Sequence, residues 1–247
     1  MSICKNCGKV GSDVYCSHCG QKLAVERITI GYIWHGLVHF FIHIEKGFLY
    51  TSWQMLKAPG RIAINFIGGK RKNYQTPVSY FLIWNAAYIL LIYILEKSFG
   101  ENKVVDFTGY FGETEKTKYA LSHLNIILAA LLPLQALYTY LFLMHKWYNY
   151  LEALVTIFYG IGTVLLLQFV FVSLAIPVYM LSGKSVDIRY SDILKILFIG
   201  WLVFDLAKLL PLKHKILRSV IVLILTFATF TMWRAFVYPR VAELFFK

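Results

Sequence analysis

The chain has 247 residues, of which 58% are hydrophobic and only 15% charged, and its mean hydropathy is +0.60. Soluble globular domains carry roughly a quarter charged residues, so this composition excludes that class and points to a membrane protein. The 25 Lys and Arg against 13 Asp and Glu leave a formal net charge of +12; the basic residues lack the interleaved aromatics of a base-stacking surface, so membrane lipids are expected as partners and nucleic acid is not.

All four cysteines lie in the opening stretch "CKNCGKVGSDVYCSHCGQ". Cys4/Cys7 and Cys16/Cys19 form two C-x-x-C pairs, each followed by a glycine that lets the backbone turn its amides toward sulfur. Four thiolates complete a tetrahedral shell, so the spacing predicts a closed, structural Zn2+ site over residues 1–22. A disulfide pair is the competing reading. No apolar core of a cleavable signal peptide is visible in the first thirty residues, which favours a reduced, cytosolic location over it. About twenty residues cannot bury enough apolar surface to fold unaided, so the ion is expected to act as a staple. His18 lies inside the second knuckle and reads as a solvated turn residue.

Residues 27–76 form a second unit, too broken to span a membrane. On a helix of about 100° per residue, His35, His39 and His43 fall on one stripe, with Ile33, Leu37, Phe40, Phe41 and Ile44 opposite them. The pattern predicts an amphipathic helix in the interface or under the bundle. The histidines read first as the wet side of that helix, with a second metal or a proton relay as the alternative, to which Glu45 can add an oxygen ligand. A second amphipathic turn runs from Phe48 to Leu56, and Pro59 starts another short helix. In "GGKRKNY", Lys70, Arg71 and Lys72 precede the first span. They suit positive-inside anchoring and, as a further reading, the binding of phospholipid or pyrophosphate headgroups.

Residues 77–247 read as an all-α bundle of about five transmembrane helices, near 77–95, 124–143, 153–181, 193–210 and 217–237. The third is over-long, which predicts a tilt or a first turn lying in the interface. Pro133 and Pro177 are expected to kink or end their helices. Residues 1–76 carry ten Lys or Arg against three acids, and the connection with Lys208, Lys213, Lys215 and Arg218 has no acid. Both are therefore expected inside, which places the N-terminus in the cytosol and the C-terminus outside. Asp205 and Lys208 stand i, i+3 in the fourth span, where they can pair on one face, and Arg234 lies near the end of the fifth. An intramembrane acid is a default site for cation or proton passage, but structural pairing is the favoured reading here.

The ribbon ending "CGQK" at 19–22, "RITIG" at 27–31, "HGLVHFFIHIEKGFLYT" at 35–51, "APG" at 58–60 and "GGKRKNYQTPVSYFLI" at 68–83 resemble a family of uncharacterised bacterial multi-pass membrane proteins with an N-terminal zinc ribbon. That resemblance implies a Gram-negative inner membrane. It brings no catalytic residue with it.

The expected function is a non-enzymatic inner-membrane platform, its ribbon and amphipathic collar docking another protein or a second copy of the chain. A lipid-handling or transport protein, using Lys70, Arg71, Lys72 and Asp205, is the alternative. A membrane enzyme acting on a lipid-linked substrate through His39, His43 and Glu45 stands behind both. No nucleophile elbow, phosphate-binding glycine loop or H-E-x-x-H is present.

Overall fold

The computed structural model describes residues 2–33, 47–100, 103–107 and 131–233. At the N-terminus a two-residue ladder, β1 (Ser2–Ile3) against β2 (Val10–Gly11), carries the cysteine ribbon. Helix α1 (Phe48–Lys57) and helix α2 (Pro59–Ile67) follow, separated at Ala58. Proline bars the residue before it from helical geometry, and Ala58 accordingly adopts φ −155° and ψ 68°. The same device sets the start of α3 (Pro77–Phe99), where Thr76 is extended ahead of Pro77. These two helices and the turn at 68–76 form a collar at one end of the bundle.

The bundle continues with α4 (Leu131–Met144), whose last five residues, Tyr140–Met144, are wound as a π-turn. Helix α5 (Tyr150–Ser182) is opened by a full capping box, in which the Asn149 side chain takes the Glu152 amide and the Glu152 carboxylate takes the Asn149 amide. It ends at Gly183, at φ 66°, a left-handed cap that glycine takes without strain. Helices α6 (Ser191–Leu209) and α7 (Lys215–Met232) complete the described part. At the far end from the collar, β3 (Val105–Asp106) pairs in parallel with β4 (Val186–Asp187).

Helices α3 and α5 run in the same direction, since their contacts climb together. The Tyr80 and Thr163 hydroxyls meet at 3.1 Å, Gln168 reaches the Tyr88 hydroxyl at 3.5 Å, and Phe99 meets Tyr179 edge-on. Gly162 permits the close approach, because a Cβ there would lie 2.7 Å from the Tyr80 ring and 3.2 Å from the Phe81 backbone. Gly160 does the same toward α6, where a Cβ would meet Leu202 at 2.7 Å. Two positions apart, and so about 200° around the helix, the two glycines of α5 seat partners on opposite sides.

Three of the expected spans, α3, α5 and α7, are long and apolar enough to cross a membrane. The described part of α4 is a shorter apolar helix, and the residues preceding it lie outside the described ones. Helix α6 is long enough but carries Asp192, Lys195, Asp205 and Lys208. Large apolar side chains remain exposed around the bundle, among them Leu90, Leu174, Leu197 and Ile216, as expected for helices that meet lipid rather than water. Pro177 neither ends nor splits α5, which continues through it to Ser182.

The excess length of α5 has a direct cause. The buried Tyr159 hydroxyl donates at 2.6 Å to the Gln75 carbonyl, just ahead of α3, so the first two turns of α5 rise past the start of α3 and stand among the collar. At 1.5 Å per residue its 33 residues run about 50 Å, against a hydrocarbon core of about 30 Å. The extra turns belong to the collar core, where Ile28, Met55, Phe66, Tyr80, Tyr159 and Leu206 are buried together.

Helix α2 crosses α6 at backbone contact: a Cβ on Gly60 would lie 2.4 Å from the Leu206 amide nitrogen. The Gly60→Ala protein is therefore expected to lose about 2 kcal/mol through forced separation of the two helices. Gly200→Ala on the open side of α6, where nothing lies within 4 Å, is expected to be neutral or slightly stabilising. Thermal unfolding of the two variants in detergent checks the contrast.

Candidate metal centre and the collar that seats it

The four cysteine sulfurs lie within 4.8 Å of one another, with Cys4 to Cys19 and Cys7 to Cys16 each at 3.6 Å. Four thiolates about 2.3 Å from one tetrahedral ion stand about 3.8 Å apart, so the cluster fits a single metal ion held by sulfur alone. Each knuckle closes with a tight turn: Gly8 donates to the Cys4 carbonyl at 2.8 Å and Gly20 to that of Cys16 at 2.7 Å. Both glycines take positive φ, 76° and 70°. This geometry aims amides at sulfur as the sequence predicts. The Gln21 amide holds the Cys19 thiol down at about 6, and the Cys19 and His18 amides lower Cys16. At Cys7 the Lys9 amide also pulls down, but burial and the neighbouring sulfurs outweigh it and push the thiol up to about 11. Thiols so close cannot all ionise without a cation among them, and a metal ion supplies that charge. His18 is exposed, its Nδ1 3.3 Å from Lys9 Nζ, and takes no part in the cluster.

Two residues after Cys19, Gln21 is buried and reaches into the collar. Its amide nitrogen donates to the Gly69 carbonyl at 2.7 Å, and its oxygen accepts from the Arg71 and Lys72 amides at 3.0 and 3.2 Å. One neutral side chain thereby satisfies three backbone groups of the "GGKRK" turn. Gly69 makes room, since it sits at φ 106° and a Cβ there would meet Lys5 at 2.7 Å.

Of the three residues read as headgroup-binding, Arg71 is engaged inside the fold. Its guanidinium donates to the Glu26 carbonyl at 2.9 Å and the Phe66 carbonyl at 3.3 Å, and stacks on Tyr32 at 4.7 Å. Lys70 and Lys72 remain exposed. The next anchor is Arg27, whose guanidinium grips the Glu152 carboxylate with both oxygens, at 3.2 and 2.9 Å, and is thereby held above its ordinary value. Glu152 is buried, so the capping acid of α5 owes its charge balance to the chain arriving from the ribbon.

Asp205 does not pair with Lys208. Its Oδ2 accepts from the Gly60 and Arg61 amides at 2.9 and 3.3 Å, capping the first turn of α2 from across the helix crossing. An acid at a helix N-terminus meets unpaired amides and the positive end of the dipole, and that geometry outcompetes a flexible lysine three residues along. Lys208 is exposed, and its backbone carbonyl accepts from Lys215. The histidine stripe, His35, His39 and His43, with Glu45 and Arg234, lies outside the described residues.

Gln21 and Glu152 escaped the sequence reading. Glu152 carried a usable signal, since "NYLE" at 149–152 has capping-box spacing. Gln21 carried none beyond being a polar residue directly behind a knuckle.

Residues 45–89 match a family model described as a protein of unknown function (DUF3667). The matched stretch, about a fifth of the chain, holds α1, α2, the turn that receives Gln21 and the first half of α3. No curated protein and no solved structure matches the chain.

Removing the Gln21 side chain strips three partners from the turn. Gln21→Ala is expected to cost about 2 kcal/mol, to raise hydrogen exchange at the Arg71 and Lys72 amides, and to leave metal content unchanged. Asp205→Asn keeps the capping oxygen and is expected to stay within about 1 kcal/mol of the parent, whereas Asp205→Ala loses about 1–2 kcal/mol; denaturation in detergent separates the two.

Proposed function

We propose that this chain is a non-enzymatic integral membrane protein whose ribbon, folded around a structural Zn2+, forms a docking or assembly platform with the collar. The observation that carries the reading is an apolar patch on the ribbon. Ile3 and Val10, paired across the β-ladder, are 68% and 62% exposed, and Val14 and Tyr15 of the same ribbon are 64% and 59% exposed. Directly opposite residues of an antiparallel pair share one face. A module of about twenty residues that leaves such a face bare, and is seated by Gln21, offers a rigid surface to another protein or to a second copy.

Arg71 and Asp205, to which the transport alternative gives a role, support this assignment because they serve as joints, and Arg27 with Glu152 adds a third. Arg71 staples the turn, Asp205 caps α2, and Arg27 neutralises Glu152. Four sulfur ligands leave a tetrahedral ion no open position for water, which suits a structural role, and the all-thiolate set suits zinc.

The proposed location is a bacterial inner membrane with the ribbon in the cytosol and the C-terminus outside. Its support is the charge on the connections that meet at the collar end. Lys146 lies beside Trp147, whose carbonyl accepts from Arg27, and Arg218 at the start of α7 donates to the Phe142 carbonyl at the end of α4. Basic residues collected at one end obey the positive-inside rule.

The purified protein is expected to carry one zinc ion per chain by native mass spectrometry, and Cys16→Ser to lose it. Val10→Asp is expected to keep the zinc and lose partner binding or self-association. Full retention of both assemblies by Val10→Asp would sink the platform reading.

A further inference from the structure

Helix α1 has two faces that the collar treats differently. Thr51, Ser52 and Met55 are buried, while Leu49, Trp53 and Leu56, spaced i, i+4, i+7 on one stripe, are 74%, 57% and 38% exposed. Three large apolar side chains bare on a ten-residue helix are costly in water. Lys57 follows on the same side, its Nζ 4.5 Å above the Trp53 ring.

The depth of this stripe is fixed by what the buried face holds. Thr51 accepts the Gln75 amide at 2.9 Å, just before α3 begins, and Ser52 accepts the Trp84 indole N–H at 3.1 Å. Phe48 packs on the same indole, with ring centroids 5.1 Å apart. Trp84 lies seven residues, about 10 Å, into a membrane-crossing helix. Helix α1 is thus held beside the first two turns of α3. On α3 itself the next turn exposes Ile89 and Leu90. Exposed apolar side chains thus resume on α3 within two turns of Trp84, the residue whose indole Ser52 holds.

We infer that α1 is an interfacial anchor embedded in the phospholipid leaflet, with Leu49, Trp53 and Leu56 among the upper acyl chains and the Lys57 ammonium at the phosphate level. Tryptophan favours that zone because its ring is apolar and its N–H polar, and lysine reaches the phosphates by extending its stem. The helix lies in the leaflet without crossing it, and its insertion holds α2 and the Gln21-receiving turn at a set height. This assignment is independent of the apolar patch on the ribbon, which lies on the metal-binding module.

The test uses the full-length protein reconstituted in phosphatidylcholine vesicles, with Trp53→Phe as the reference. The Trp53 emission, obtained by difference, is expected to fall on the order of twofold when the lipids are brominated in the upper acyl chain and to resist aqueous acrylamide. Acrylamide quenching without lipid quenching would overturn the assignment. A photoreactive benzoylphenylalanine at position 49 gives a second measurement that does not depend on the Trp53 variant. Adducts with phospholipid are expected; adducts with a second copy, with another protein or with residues 34–46 of the same chain would instead mean that protein covers the stripe.

Discussion

The position of the ribbon rests on one buried amide. Gln21 is neutral, so it enters the collar without the desolvation cost of a charge, and it offers donor and acceptor at once to a turn that has both to satisfy. Buried polar networks hold when every member is paired and fail together when one is not. Arg71 follows from this contact, since its amide is on Gln21 while its guanidinium is drawn between Tyr32, Phe66 and the Glu26 carbonyl. The chain is then aimed so that Arg27 meets Glu152 and Ile28 is buried in the collar core.

Hydrophobic burial alone could not specify this arrangement. Helices in lipid gain little from hiding apolar surface from one another, and their register comes from close backbone approach and from polar contacts. Gly60, Gly160 and Gly162 supply the close approach, and Asp205, Gln75, Tyr159 and the Tyr80–Thr163 pair supply the polar contacts. Most of these polar contacts lie where the bundle meets the collar, so specification is concentrated at one end.

What the sequence made legible was local. Cysteine spacing gave the sulfur cluster, Pro59 marked the start of α2, and apolar length marked α3, α5 and α7 as able to cross a membrane. Contacts distant in sequence were not legible. Gly60 and Asp205 are 145 positions apart, as the hydrogen bond between them records, and no spacing rule links an acid in one helix to amides in another. The same distance hid why α5 is over-long, because its first turns are shaped by residues of the ribbon linker. Arg71 illustrates a further blind spot: in a run of three basic residues, it is the rings and carbonyls brought up by the fold that separate the one held inside from the two left exposed.

The parallel course of α3 and α5 carries a mechanical consequence. Near the collar the Tyr159 hydroxyl ties α5 to the backbone ahead of α3, and beyond their far ends the Val186 amide of β4 donates at 3.0 Å to the carbonyl of Val104, just ahead of β3. Ties near both ends oppose sliding of α3 along α5, because any slip would have to break the hydrogen bonds at both ends together. A load applied at the ribbon enters α5 through Arg27 and Glu152 at its first turn.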